Sequence, residues 1–92
     1  MKTSNPPSYD KIFNIKYAGT DTVARGATIP QHRGLLIIAT ATNTTFSFTN
    51  IDDTTTTMTF VSGSIVLPLQ IKSYTYTGVQ GALTNVSIYG LV

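Results

Sequence analysis

The sequence predicts an all-β fold, a small antiparallel β-sandwich or barrel that is jelly-roll-like, with about six to eight short strands and an extended N-terminal arm. Threonine accounts for 17 of the 92 residues and glutamate is absent, so β-branched residues dominate and strong helix formers are scarce. Short apolar or alternating runs recur at intervals of about 8–12 residues, with turn residues between them. The length is that of one domain.

The N-terminal segment predicts an arm over residues 1–10 ahead of a single β domain over residues 11–92. Two adjacent prolines cannot donate to a sheet ladder, and no strand pattern surrounds them. An aromatic side chain flanked by lysines is typical of a contact segment. The candidate interface residues here are Lys2, Pro6, Pro7, Tyr9 and Lys11.

A first strand follows, with apolar residues between Ile12 and Tyr17. The small, polar stretch from Ala18 to Gln31 then predicts a long loop, and long loops are usually functional or form interfaces. Within it, Arg25 stands next to a glycine and offers a donor fork to a carboxylate on a partner. His32 and Arg33 lie at the junction of this loop with the next strand, and we include both in the candidate interface.

The remaining strands are separated by regular turns. The apolar run LLIIAT favours a strand that is buried on both faces, and the later runs alternate between apolar and polar residues. Pro68 interrupts the longest run, which predicts an edge strand, a bulge or a bend there. The predicted strands after the long loop cover residues 35–40, 44–49, 55–61, 65–76 and 86–91.

The alternation also predicts which side chains share the core. On each of these strands the apolar positions fall on one face, because successive side chains of a strand point to opposite sides. The predicted core residues are Phe46, Phe48, Met58, Phe60, Leu67, Leu69, Ile71 and Ile88.

The residue types that enzymes and metal sites need are scarce, so we expect no enzyme and no cofactor. The chain has one histidine, no cysteine and no glutamate, which leaves a catalytic triad or a zinc site without ligands. Asp52 and Asp53 could offer oxygens to calcium at a turn, but no third carboxylate stands near them. The sequence therefore predicts no catalytic, cofactor-binding or metal-binding residues.

The charge and the hydropathy of the chain limit the classes of partner that we expect. Charged residues make up 11% of the chain and the net charge is +2, too little to favour nucleic acid as a partner. No apolar run is long enough for a membrane-spanning helix, and no apolar stretch follows the N-terminal lysine, so we expect neither a membrane nor a secretory leader. We therefore expect the protein to be made in the cytoplasm.

Tyr74 and Tyr76 alternate on one predicted strand, opposite to the apolar face. An exposed aromatic pair of this kind marks a contact surface. It could also stack nucleic-acid bases or sugars, although only Lys72 supplies a cation nearby.

The second half of the chain resembles the small head-spike base and decoration proteins of tailed bacteriophages and gene transfer agents. The resemblance covers residues 30–92, and the threonine run 54–57 and the pair Gln80-Gly81 depart from it. It rests on a strand that follows an arginine, a glycine before a Pro-containing apolar segment that ends in lysine, and a Thr-Gly turn before the last strand. The matching residues are Arg33, Gly63, Pro68, Lys72, Thr77 and Gly78.

This resemblance implies a structural protein on the outside of a virion capsid, a decoration, cement or spike-base protein that binds the major capsid protein. It further implies self-association as a trimer or pentamer, or contact with a fibre protein. Two alternatives stay open: another virion part, such as a tail, neck or fibre-attachment protein, and a β-module that binds carbohydrate or oligonucleotide.

Overall fold

A computed structural model describes residues 9–41 and 44–92, apart from the side chain at position 44. Within these residues the chain forms seven antiparallel strands and no helix, which confirms the all-β prediction. The strands are β1 (Ile12–Tyr17), β2 (Gly34–Ala39), β3 (Thr44–Asn50), β4 (Thr55–Phe60), β5 (Gly63–Leu67), β6 (Ile71–Thr75) and β7 (Val86–Leu91).

The strands form two sheets that enclose one core. The four-stranded sheet has the order β1-β7-β2-β5, and the three-stranded sheet has the order β4-β3-β6. This is the strand order of an eight-stranded jelly roll in which an irregular segment takes the place of the strand after β1. That segment, between β1 and β2, contains the predicted long loop. The sandwich with jelly-roll character follows directly from these pairings.

The core lies between the sheets and agrees with the prediction at seven of its eight positions. Phe46, Phe48, Phe60, Ile71 and Ile88 are buried, and Met58 and Leu67 are partly buried against them. Other strands and the long loop complete the core with Ile15, Ile29, Leu35, Ile37, Ala39, Tyr74, Tyr76 and Val86.

The predicted single strand over residues 65–76 is wrong, because the chain changes sheets in the middle of it. β5 ends at Leu67 as an edge of the four-stranded sheet, and β6 begins at Ile71 in the other sheet. Pro68 lies in the connection, so the bend is the correct interpretation of this proline. Leu69 therefore leaves the core face and is 38% exposed, which corrects its place in the predicted core.

A glycine lets the first and last strands pack closely. Phe13 of β1 lies opposite Gly90 of β7, and a Cβ at position 90 would come within 2.3 Å of the phenylalanine ring. The same ring meets the imidazole of His32 edge-on, with 6.4 Å between the ring centroids. The start of the domain is thus anchored to its last strand and to the end of the long loop.

Candidate interaction surfaces

The long loop seals one side of the sandwich. The Val23 N–H donates to the Ile15 carbonyl on β1 at 2.9 Å. Further along, the Gly26 N–H donates to Tyr74 O and the Ile29 N–H donates to Lys72 O, both on β6 and both at 2.9 Å. The loop therefore bonds the outer edges of β1 and β6, one from each sheet, and covers the core between them.

A buried ion pair fastens this loop to β1. The Lys16 ammonium lies 3.1 Å from Asp21 Oδ1, and the two side chains are 0% and 1% exposed. The Lys16 ammonium also donates to the Ala18 carbonyl. The other carboxylate oxygen, Oδ2, accepts hydrogen bonds from the Tyr76 hydroxyl at 2.5 Å and from the Gly81 N–H at 2.9 Å. The spacing of the two residues and the charge pattern of the sequence do not identify this pair, because its importance for the fold comes from its burial.

Burial and charge shift the acidities within this cluster. Burial by itself raises the pKa of Asp21, but hydrogen bonds from Tyr76, Lys16 and Gly81 outweigh it and hold the pKa below its usual value. Burial raises the pKa of Tyr74, and the Asp21 charge raises it further. The pKa of Tyr76 is also raised, by burial first and then by its hydrogen bond to Asp21. The carboxylate and both phenols therefore keep their charge states across the neutral range.

The expectation that Tyr74 and Tyr76 form an exposed aromatic face is wrong. They are 1% and 7% exposed, and their rings stack on each other with centroids 6.2 Å apart. The loop covers this part of β6, and the Tyr74 hydroxyl donates to the Val23 carbonyl at 2.8 Å. The register between β3 and β6 shifts at Thr49 and Asn50, so Tyr74 pairs with Phe48 and faces the core together with Ile71, which strict period-two alternation does not allow.

Arg25 holds the same loop in place, and its guanidinium is not left free for a partner as the sequence suggested. Its guanidinium lies 4.7 Å from the centroid of the Tyr76 ring. One of its nitrogens, Nη1, donates to the carbonyls of Tyr76 and Gly78, at 2.8 and 2.6 Å. The side chain is partly exposed, and these contacts tie the loop to the turn that follows β6.

His32 lies buried at the edge of the core and has a structural role. It is 2% exposed, its Nδ1 lies 2.7 Å from the Pro30 carbonyl, and its Nε2 accepts the Ile71 N–H at 3.1 Å. This pair of contacts places the proton on Nδ1 and leaves Nε2 as the acceptor. The imidazole thereby joins the end of the loop to the first residue of β6.

The N-terminal candidates divide into three groups. Lys2, Pro6 and Pro7 lie outside the described residues. Tyr9 packs on the domain itself: a Cβ at position 34 would come within 2.7 Å of the Tyr9 hydroxyl, and the Arg33 guanidinium lies 5.3 Å from the Tyr9 ring centroid.

Lys11 is exposed, and its backbone pairs with Val92 in both directions, at 3.2 and 2.9 Å. The last residue of the chain thus ties down the point where the arm joins the domain. Tyr9, the first described residue, lies beside Gly34 on the outer face of the four-stranded sheet.

That outer face is uncharged and largely apolar, and we call it the apolar face. Ile12, Tyr17 and Val66 on it are 52%, 58% and 48% exposed. The strand registers assign it eleven positions, none with a charged side chain: Ile12, Asn14, Tyr17, Gly34, Leu36, Ile38, Ser64, Val66, Ser87, Tyr89 and Leu91. Four strands about 4.8 Å apart and about six residues long give it a footprint of about 400 Å².

The outer face of the three-stranded sheet has a different character, and we call it the hydroxyl face. Cross-strand pairs of hydroxyls bond there, Thr45 to Thr59 at 2.8 Å and Ser47 to Thr57 at 3.0 Å. Its positions are all serine or threonine: Thr45, Ser47, Thr49, Thr55, Thr57, Thr59, Ser73 and Thr75. Six of the 17 threonines of the sequence lie on this one surface.

The side of the sandwich opposite the loop is open, and we call it the open side. Its borders are β4 and β5, the terminal strands of the two sheets, and no segment among the described residues pairs with their outer edges. Between them lies a cleft of about 360 Å³ lined by ten residues, among them Ile37, Met58, Phe60 and Ile65. The apolar interior therefore reaches the surface here.

Within residues 9–41 and 44–92, no group of three or more histidine or acidic residues is placed to hold a metal ion. No helix in this part of the chain is long and apolar enough to cross a membrane. Comparison of the chain with models of protein families, with curated proteins and with solved structures found no match in any of the three.

Proposed function

We propose that this protein is a structural component of a virion, a decoration, cement or spike-base protein on the capsid exterior, and that it binds the major capsid protein through the apolar face. The observation that carries the proposal is a sheet face of eleven positions without a charge, half-exposed at its two edges. Depletion of charge with retention of aliphatic and aromatic residues is the composition of the centre of a protein interface.

The size of the face suits attachment in many copies. A footprint of about 400 Å² is near the largest apolar patch of an ordinary monomer and about half of the ~800 Å² that each partner buries in a standard interface. A capsid presents the same binding site many times, so modest contacts add up through avidity. An arm that starts on this face can add contact area, since eight extended residues reach about 26 Å.

The fold is consistent with this role. Double-sheet jelly rolls build many viral capsid and lectin domains, although a fold by itself does not assign a function. Protein made in the host cytoplasm would join the particle at assembly, as a self-associated trimer or pentamer or together with a fibre protein. A tail, neck or fibre-attachment protein is the alternative, and it would use the same face on a different partner.

The second alternative, a carbohydrate- or oligonucleotide-binding module, loses its support. It depended on Tyr74 and Tyr76 as an exposed stacking platform, and both are buried. The other exposed aromatic of note, Tyr17, lies on the apolar face without a charged neighbour at its paired position, Ser87.

The experiment adds purified protein to capsids that lack it and measures occupancy by sedimentation and mass spectrometry. Ile12→Lys and Val66→Lys place a charge at opposite edges of the apolar face, where each side chain is about half exposed. We expect each to reduce occupancy at least about tenfold, because a charged lysine within the contact area must be desolvated on binding.

Thr57→Lys is the matched control, since it adds the same charge at an exposed strand position on the hydroxyl face. It should leave occupancy unchanged. Equal losses from all three variants would mean that the charge itself, and not the apolar face, decides attachment. Undiminished occupancy with Ile12→Lys and Val66→Lys would refute attachment through this face, and protein found only in tails would favour the alternative virion role.

A further inference from the structure

The two sides of the sandwich are built differently. The loop between β1 and β2 bonds the outer edges of β1 and β6 and covers the core on that side. On the open side, no segment of residues 9–41 or 44–92 pairs with the outer edges of β4 and β5, and a cleft of about 360 Å³ lies between them. We propose that the open side is a homodimer interface in which β5 pairs antiparallel with β5 of a second copy, across a two-fold axis.

β5 lacks the devices that normally keep an edge strand from pairing. Protected edges carry lysine, proline, a bulge or an inward-pointing charge. The segment Gly63–Leu67 itself has none of these, its one proline neighbour being Pro68 just after its end, and its register with β2 is regular over all five residues. Its side chains are exposed on both faces, with Ile65 at 41% and Val66 at 48%. The backbone of this strand is thus an unprotected template for another extended strand.

A second copy of β5 fits the cleft as well as the edge. Gly63, Ile65 and Leu67 point to the core side of the sheet, since they pair with core residues of β2. In an antiparallel pair, Ile65 and Leu67 of the second copy would extend that same face over the cleft. The two-fold axis makes the arrangement reciprocal, so that one pairing closes both clefts.

Charge also favours a second copy as the occupant. Residues 61–67 carry no charged side chain, so two copies of the segment approach without like-charge repulsion despite the net charge of +2 on each chain. β4, the other open edge, is the poorer partner for this contact. Its exposed side chains include Thr56, Thr57 and Thr59, whose hydroxyls bond within the sheet or to Asn50 and offer no aliphatic surface like that of Ile65.

The area of the joined sheet agrees with this arrangement. Edge pairing would fuse two four-stranded sheets into one of eight strands, and two apolar faces of about 400 Å² would become one surface of about 800 Å², the size of a standard interface. This dimer concerns the isolated protein, and it takes the place of the trimer or pentamer that the resemblance implies. Its test does not use capsids, so its failure would leave the proposed attachment to capsids standing.

The first test measures the molar mass of the purified protein in solution by light scattering and sedimentation over a range of concentrations. We expect twice the 9.9 kDa of a single chain. Ile65→Lys should weaken the dimer at least about a hundredfold, because two lysines would meet near the two-fold axis. Ile51→Lys is the control: it makes the same change in the turn after β3, at a residue that is 64% exposed.

A second test reports the strand pairing directly. The chain contains no cysteine, so single cysteines at Ser64, Ile65 and Val66 report one position each. Residues directly opposite in an antiparallel pair have Cα atoms about 4.5–5.5 Å apart, within the range of a disulfide. Under mild oxidation we expect a covalent dimer from the variant nearest the axis, and none from Ile51→Cys.

Each possible result of these two tests either supports the proposed pairing or overturns it. A dimer that Ile65→Lys dissociates, or that one of the three cysteines traps, supports the pairing, and the cysteine series serves even if the lysine variant fails to fold. A chain that stays monomeric at about 1 mM overturns it, as does an open side that binds a strand of another virion protein instead. A dimer that resists Ile65→Lys and is trapped by none of the cysteines overturns it too, because it uses another surface.

Discussion

Replacing Asp21 by asparagine should destabilise the fold more than any surface substitution. The change is nearly isosteric, so it keeps a carbonyl oxygen that can accept from Tyr76 and from the Gly81 N–H. What it removes is the negative charge 3.1 Å from the Lys16 ammonium, in a place where the lysine is 0% exposed. The ammonium would then be buried with the Ala18 carbonyl as its remaining hydrogen-bond acceptor.

The expected magnitude follows from that burial. Breaking a buried ion pair by removing one partner costs about 3–5 kcal/mol, because the other charge stays desolvated. A domain of this size is stable by about 5–15 kcal/mol in total, so the variant should lose at least about a fifth of its stability. The melting temperature should fall by roughly 4–8 °C for each kcal/mol lost. Lys16→Met combined with Asp21→Asn should cost less than the sum of the two single changes.

The same carboxylate predicts how stability depends on pH. The pKa of Asp21 in the folded protein lies below its usual value of 3.8, so the unfolded chain takes up a proton first as the pH falls. The stabilisation is therefore fully present above about pH 5, and it is lost as the pH drops through 3.8 towards the lower folded pKa. Asp21→Asn should flatten the acid limb of the stability curve.

Urea unfolding followed by circular dichroism and tyrosine fluorescence measures these changes. The chain has no tryptophan, so the tyrosine signal is unobscured. Asp53→Asn is the matched control, since its carboxylate is exposed and bonds Lys72 at the surface. A loss below about 1 kcal/mol for Asp21→Asn, or an acid limb identical to that of the parent, would refute the reasoning about the buried pair.

Three further changes test other parts of the structure. Phe60→Ala should cost about 3–5 kcal/mol in urea unfolding, because the ring packs on Phe46, and a loss under 1 kcal/mol would place it outside the core. His32→Ala should cost at least about 1–3 kcal/mol by the same measurement, since it leaves the buried Ile71 N–H without its acceptor, whereas His32→Gln should recover part of that loss. Deleting residues 1–8 should leave the melting temperature unchanged and lower capsid occupancy, and full occupancy by the shortened protein would show that the arm makes no attachment.

Several local features of this fold could be predicted from the sequence alone. Regularly spaced turns and period-two alternation located seven of the eight core residues, because a strand buries every second side chain whichever sheet it joins. A run of small polar residues located the long loop. The turn after β3 was predicted from Asn50-Ile51-Asp52-Asp53, and Asp53 adopts a positive φ of 69° there.

The pairing partners of the strands required the tertiary structure. Sequence alternation treated residues 65–76 as one strand, but which sheet each half joins depends on contacts with β2 and β3, far away along the chain. The candidate interface was affected in the same way. Tyr74 and Tyr76 were placed on the face opposite to Ile71, but a register shift between β3 and β6 turns Tyr74 to the core, and the loop that packs against both tyrosines comes from about fifty residues earlier in the chain.

The sequence by itself determined that this protein is all-β, that a long loop follows its first strand, and that one histidine stands in the chain without cysteine or glutamate, because these depend on composition and on neighbours along the chain. Only the tertiary structure decided which surfaces are exposed. The buried Lys16–Asp21 pair, the apolar face and the open side arise from segments that are distant in sequence. Their burial or exposure is set by packing between elements, and packing is a property of the whole chain rather than of any stretch of it.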